Sequence, residues 1–192
     1  MQDNDGYITA EDLSNYEPRF SEPIQTSYRN HIIYAHPPPA GGASVLLEGL
    51  NILENFQVEE LGPNSGRFLH LFAEALQRGH MDRSRFMGDP LFYDVPIKKI
   101  ISKERAKSLA KGINQNSVTP AGNLNPDSLF NEGENTTHYS IIDKFGNAVS
   151  TTYTLGYSFG SGVTIPGTGI LLDNQMNNFA YQYGNPEVIS RF

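Results

Sequence analysis

Apolar positions recur at helical spacing in the first two thirds of the chain and switch to a spacing of two further on. Val45, Leu46, Leu47, Leu50, Ile52, Leu53 and Phe56 fall on most faces of one helix, which predicts a well-buried element. After Ser65, the residues Phe68, Leu71, Phe72, Ala75 and Leu76 stand at i, i+3, i+4, i+7 and i+8, the stripe of a second helix. A third is expected from near Ser102 to Gly112, with the glycine as its C′ residue. Ahead of these, residues 29–35 read as extended, apolar at Ile32, Ile33 and Tyr34, and end at Pro37-Pro38-Pro39. Proline fixes φ and offers no N–H to a ladder, so the triplet is a rigid turn. Ala40-Gly41-Gly42 then lets the backbone pass closely into the first helix.

Residues 113–135 break this pattern. Asn114, Asn116, Pro120, Gly122, Asn123, Asn125, Pro126, Asn131, Gly133 and Asn135 are turn formers, and Asp127, Glu132 and Glu134 add charge, so the tract reads as an exposed, mobile linker. Two β-rich runs follow, 136–143 and 147–155, joined at Lys144-Phe145-Gly146 as a hairpin. Gly156, Gly160, Gly162, Gly167 and Gly169 stud the next segment, before Ile170-Leu171-Leu172 and the polar Asp173-Asn174-Gln175. There is no internal repeat.

Composition narrows the function classes. The chain has 192 residues, enough to bury a sizeable core, and 14 Lys and Arg against 21 Asp and Glu give a net charge of −7. An acidic balance argues against nucleic-acid binding, which needs clustered cations. One basic run exists, Lys98, Lys99, Lys103, Arg105, Lys107 and Lys111, but with Glu104 inside it and no interleaved aromatics it reads as a solvated helix face. No run of 18 apolar residues is present, so no membrane span is expected. Met1 leads into Asp3, Asn4 and Asp5, so no signal peptide is expected in this stretch. The absence of cysteine removes disulfides, thiol catalysis and zinc–thiolate sites, and leaves the redox compartment open.

Several apparent sites have plainer readings. Asp3, Asp5, Gly6, Ile8 and Asp12 have the look of a calcium loop, but alignment on Gly6 puts Met1 at the first ligand position and Asp12 at the last. Thr9 and Asp12 instead suit a capping box at the start of a short helix. His31, His36, His70, His80 and His138 show no metal-ligand spacing, and the glycine-rich segment lacks the Lys-Ser/Thr ending of a phosphate loop. Loop flexibility is the better explanation of those glycines. No metal or cofactor is expected.

The informative feature is the boundary at Asn135 and Thr136, where the linker gives way to Thr136-Thr137-His138. Thr-Thr at a strand start is by composition β-propensity alone. Chemistry supplies a second meaning. A Thr hydroxyl is a weak nucleophile without an adjacent base, and a free α-amine on the same residue is such a base, with a reference pKa of about 7.7–8.0. A peptide nitrogen has no such basicity, so the pairing requires a cut before Thr136, and an accessible linker is where a cut can occur.

The surrounding motifs make the chain recognisable. Upstream stand Gly6-Tyr7-Ile8-Thr9-Ala10-Glu11-Asp12-Leu13, Pro37-Pro38-Pro39-Ala40-Gly41-Gly42, Asn51-Ile52-Leu53, Asp82-Arg83 and Gly88-Asp89-Pro90. Downstream stand Thr136-Thr137-His138-Tyr139-Ser140, Gly146-Asn147-Ala148-Val149, Phe159-Gly160 and Gly169-Ile170-Leu171-Leu172. Together they resemble the γ-glutamyltranspeptidases, which are N-terminal-nucleophile hydrolases. The resemblance implies an α/β (α+β) fold, a fragment of a four-layer αββα sandwich. It implies that 1–135 is the end of a large subunit and 136–192 the start of a small one, both from one precursor.

It further implies that Thr136 attacks the Asn135 carbonyl to cut the chain and then attacks a γ-glutamyl amide such as glutathione. Water, an amino acid or a dipeptide would take the acyl group. Thr154 matches the family's second Thr, and a period of two places it on one face with Thr152 and Ser150, where it can face Thr136 across the hairpin. Gln175 matches a residue that holds the substrate α-ammonium.

Two positions depart from the family. Gly156 stands where an Asn usually holds the α-carboxylate, and Asn177-Asn178 replaces an Asp-Asp whose second member binds the α-ammonium. A charged hydrogen bond is worth about 1.5–3 kcal/mol, so Asn178 implies roughly tenfold to hundredfold weaker ammonium recognition. That change favours an alternative, an amide acylase of the cephalosporin (glutaryl) type. A third reading is an inactive fragment or non-enzymatic remnant of the fold. The carboxylate-binding Arg is expected upstream of Met1, and the Ser-Ser pair and the oxyanion Gly-Gly downstream of Phe192, so the chain alone is expected to be catalytically crippled. The resemblance implies a periplasmic or extracellular location.

Overall fold

The Thr9 hydroxyl accepts from the Asp12 amide at 3.1 Å while the Asp12 carboxylate accepts from the Thr9 amide at 2.7 Å, closing the expected capping box on helix α1 (Ala10–Asn15). This computed structural model describes residues 8–120 and 136–175, so Asp3, Asp5 and Gly6 of the apparent calcium loop lie outside the described residues. Thr9 and Asp12 are spent on the cap.

Strands β1 (Ile24–Tyr28) and β2 (His31–Ala35) form an antiparallel pair with Tyr28 opposite His31. The two turn residues, Arg29 and Asn30, both have positive φ, at 46° and 68°, the mirror-image turn whose twist suits a two-residue hairpin. Sequence patterning finds β2 and misses β1, because Ile24-Gln25-Thr26-Ser27-Tyr28 is mostly polar. Its inward residue is Thr26, whose hydroxyl donates to Asn51 at 2.8 Å. The triple proline turns as expected, with the Ala40 amide donating to Pro37 O at 3.2 Å.

Helices α2 (Gly41–Leu53), α3 (Gly66–Phe86) and α5 (Lys103–Lys111) carry the core, with a 3-10 turn at Val58–Leu61 and the short α4 (Ile97–Ile100) between them. Ile52 and Leu53 meet Leu71 and Ala75 of α3 and Ala106 and Ala110 of α5, with Ile113 closing the cluster. Gly79 sets the α2–α3 approach: a Cβ there would lie 3.2 Å from the Val45 backbone. Ser65 and Ser102 cap α3 and α5 by accepting from Phe68 and Arg105 amides. Gly112 ends α5 as its C-cap at φ −82°, so it is not the left-handed C′ residue expected.

The buried side of α2 is less apolar than its sequence suggests. Glu48 and Asn51 are fully buried on it. Arg105 grips Asp82 with its Nε and second terminal nitrogen and lies 3.5 Å from Glu48, tying α5 to α3 and α2. Lys103 Nζ donates to Asn51 and to Glu54, each at 2.6 Å. The basic run is therefore divided: Lys98, Lys99, Lys107 and Lys111 are exposed, whereas Lys103 and Arg105 turn inward toward buried acceptors.

The first part of the expected mobile linker is anchored instead. Ile113 is buried, the Asn114 carbonyl lies 2.8 Å from His70 Nε2, and Thr119 donates through its amide (2.7 Å) and hydroxyl (2.6 Å) to the Glu74 carboxylate. Glu74 is also bridged by Arg78, at 2.6 Å. Turn-forming composition reflects local conformation and is blind to these long-range partners. The rest of that tract, with Asn135, lies outside the described residues.

Strands β3 (Thr136–Ile142) and β4 (Ala148–Thr154) form the second antiparallel pair. Asp143 organises the turn, its carboxylate accepting from the amides of Phe145 (2.8 Å) and Asn147 (2.9 Å), while Gly146 takes φ +86°. These hydrogen bonds, those from Asn147 first, hold the Asp143 carboxyl below its ordinary range.

Candidate functional site

Thr136 is the register partner of Thr154. Directly opposed residues of an antiparallel pair share a face, with Cβ atoms about 4.5–5.5 Å apart. The same face continues with His138 opposite Thr152 and Ser140 opposite Ser150. His138 Nδ1 lies 2.6 Å from the Thr152 hydroxyl, its Nε2 lies 3.1 Å from Ser150 Oγ, and the two serine hydroxyls are 3.2 Å apart. Hydroxyls both donate and accept, so they can serve a neutral imidazole at either nitrogen. The opposite face is aromatic, with Tyr139 and Tyr153 packed edge-on at 6.2 Å. Strand β3 is exposed along its length, which leaves the hydroxyl-bearing face open.

Beyond β4 the chain folds back on itself. Ser161 N donates to Leu172 O, Leu172 N to Val163 O, and Asn174 N to Leu155 O, each at 2.9 Å. This ribbon corrects the reading of its glycines as mere flexibility. Gly160 takes φ +59°, and a Cβ there would lie 2.2 Å from Leu172 O, so close backbone approach dictates the residue.

The return of the ribbon brings Gln175 to Thr154, beside Gly156 two residues further along the chain. Gln175 Nε2 donates to Thr154 O at 3.1 Å, and Gly156 N donates to Thr154 Oγ1 at 3.0 Å. With its Nε2 so used, Gln175 has Oε1 left to accept from a cation. Four of the six residues singled out in the sequence, Thr136, Thr154, Gly156 and Gln175, thus meet at one end of the hairpin. Asn135 and Asn178 lie outside the described residues.

Sequence reasoning did not single out the His138 rung or Asn174. Strict alternation from Thr136 carries the signal for His138, once the turn at Asp143 fixes the register. Asn174 has no local signal, because its role depends on the fold-back. An open depression of about 570 Å³, lined by Leu61, Arg67, Leu71 and 113–116, holds none of the candidate residues. Among the described residues no group of three or more His, Asp or Glu is arranged to hold a metal ion.

Comparison with known proteins bears on the family of the chain. The family model described as Gamma-glutamyltranspeptidase matches residues 1–190. The glutathione hydrolase proenzyme of Escherichia coli K12 is 42% identical over 189 residues, which is 98% of this chain and 33% of that protein. Among solved structures, the γ-glutamyltranspeptidase of Helicobacter pylori is similar at a TM-score of 0.61 and 36% identity, covering 66% of this chain and 37% of that one. The cephalosporin acylase of Bacillus halodurans is similar at a TM-score of 0.74 and 28% identity, covering 99% of this chain and 34% of that one. The chain spans about a third of the length of the curated relatives it matches.

Proposed function

Because the chain belongs to the γ-glutamyltranspeptidase family, we propose that it carries the nucleophile of a γ-glutamyl transfer and hydrolysis reaction, Thr136. The observation that carries this reading is the rung formed by Thr136 and Thr154 at the mouth of the hairpin. In the precursor the Thr136 hydroxyl attacks the Asn135 carbonyl, the acyl group moves from nitrogen to oxygen, and water hydrolyses the ester. The products are a carboxylate at Asn135 and a free α-amine at Thr136.

That amine is the base for the second stage. It takes the proton of the Thr136 hydroxyl as Oγ1 attacks the γ-carbonyl of a glutathione-type amide. The C–N bond breaks, the leaving amine receives the proton, and a γ-glutamyl ester remains on Thr136. Water releases glutamate from it, or an amino acid or dipeptide amine takes the acyl group in a new amide. Thr154 positions Oγ1 from across the ladder, and Gln175 Oε1 accepts from the substrate α-ammonium alongside Asn178. The compartment follows the family expectation, periplasmic or extracellular.

The test is a Thr136→Ala substitution in the native precursor. Abolition of both the cut between Asn135 and Thr136 and γ-glutamyl anilide hydrolysis is expected; an intact, uncut native protein would favour a non-enzymatic remnant. A second reading, an amide acylase for chains without an α-ammonium, is favoured by Asn178, an uncharged residue where the resemblance expects the Asp that holds the α-ammonium. Asn178→Asp should then raise γ-glutamyl over glutaryl turnover, and no gain would count against weakened ammonium recognition.

A further inference from the structure

We infer that His138 is a positioning residue for Thr136, a strut that joins two rungs of the β3–β4 ladder and holds the open end of the hairpin once the chain has been cut. The inference rests on the Thr136 acyl-enzyme reading. His138 follows Thr136 by two residues on the same strand face and is the register partner of Thr152, as Thr136 is of Thr154. Its Nδ1 lies 2.6 Å from the Thr152 hydroxyl and its Nε2 lies 3.1 Å from Ser150 Oγ, so one imidazole engages two residues of β4. Ser140 Oγ, 3.2 Å from Ser150 Oγ and 3.4 Å from His138 Nε2, ties the group back to β3. A rigid ring held at both nitrogens fixes β4 against the first residues of β3 through directly opposed and diagonal partners.

Cutting raises the demand on this strut. In the precursor Thr136 is tied by peptide bonds on both sides; after the cut it is a chain terminus, and termini fray unless tied down. Its place opposite Thr154 then depends on the ladder behind it, where His138 is the next side chain on the same face. Strand β3 is exposed along its length, so burial within the described residues does not take over that task. The partners also decide what His138 does with protons. Among the described residues they are hydroxyls, which donate to a bare ring nitrogen and accept from a protonated one. Neutral imidazole and imidazolium therefore both keep the strut, and the role of base stays with the α-amine.

The experiment uses the native precursor and its cut form, with γ-glutamyl p-nitroanilide as donor. His138→Ala should lower kcat of the cut protein about threefold to tenfold, while KM and the rate of cutting change less than about twofold. Thr152→Val should act in the same way, and the double substitution should cost about as much as either one alone, since both break one strut. His138→Asn, whose carboxamide takes the Nδ1 position toward Thr152, should recover most of kcat and leave the pH dependence of kcat/KM unchanged. A merely structural role would lower melting temperature, kcat and cutting together. A His138 acting as base would alter the pH dependence in His138→Asn, and losses that multiply in the double variant would uncouple the pair. Each of these three results would overturn the proposal, whereas turnover surviving Thr136→Ala would overturn the nucleophile reading beneath it.

Discussion

Thr136 and Thr154 occupy the same rung of the β3–β4 ladder, eighteen positions apart in sequence and opposed across the hairpin. A hydroxyl at 154 can steady the one at 136 only through this register. Thr154→Ala should lower kcat for the γ-glutamyl donor about twofold to tenfold, the scale of one hydrogen bond between neutral hydroxyls of about 0.5–1.5 kcal/mol. Thr154→Ser should recover most of the loss. Steady-state kinetics on the cut protein, with the extent of cutting followed on a denaturing gel, checks both.

An α-amine acting as base must be neutral. Its ordinary pKa of about 7.7–8.0 predicts that kcat/KM rises with pH through that range and levels off above it. Thr136→Ser keeps the amine and should keep the limb. A flat profile between pH 6 and 9 would remove the amine from the mechanism.

Glu48 predicts a different pH dependence, one of stability. Burial first, then the neighbouring Asp82, push its carboxyl up to about 9 from an ordinary 4.5, while Arg105 opposes them. A raised carboxyl pKa means that the folded state holds the proton more tightly. The contribution is fully present below pH 4.5 and declines as pH rises through 9. Glu48→Gln mimics the protonated acid, so its melting temperature should match the unaltered protein at pH 5 and exceed it at pH 9. Parallel melting curves for the two proteins across that range would show that Glu48 is not protonated in the fold.

Glu74 works in the opposite direction. Its burial raises the carboxyl pKa, but the hydroxyl and amide of Thr119 and the Arg78 guanidinium outweigh that and leave it lowered. The resulting stability is present above the ordinary pKa of 4.5 and is lost as pH falls through the folded value. Thr119→Val should cost about 1.5–3 kcal/mol by removing a hydroxyl from a buried carboxylate. It should also release 113–120 to proteolysis, measurable by limited digestion alongside urea unfolding.

The helices and the second hairpin were legible because their signals are local. Leu71 and Ala75 mark the buried stripe of α3, Ser65 and Ser102 mark its start and that of α5, and Gly146 marks the turn between β3 and β4. What stayed hidden depends on partners distant in sequence. β1 is held through Thr26 and Asn51, 113–120 through Thr119 and Glu74, and the inward Lys103 and Arg105 through acceptors on α2 and α3. At the candidate site the Thr pair was legible through the resemblance, with alternation adding only the face that Thr154 shares with Thr152 and Ser150, and the Gly156–Asn174 contact requires the ribbon to fold back, which no periodicity encodes.

The hairpin closes around Asp143, seven residues from Thr136, so the Thr136–Thr154 rung is the one farthest from the turn. A ladder that zips from its turn seals that rung last and frays there first. In a ladder that closes in that order, Thr136 meets Thr154 only after every inner rung is shut. Under the proposed function, a slip of the register would take Thr154 away from the Thr136 hydroxyl before any cut is made.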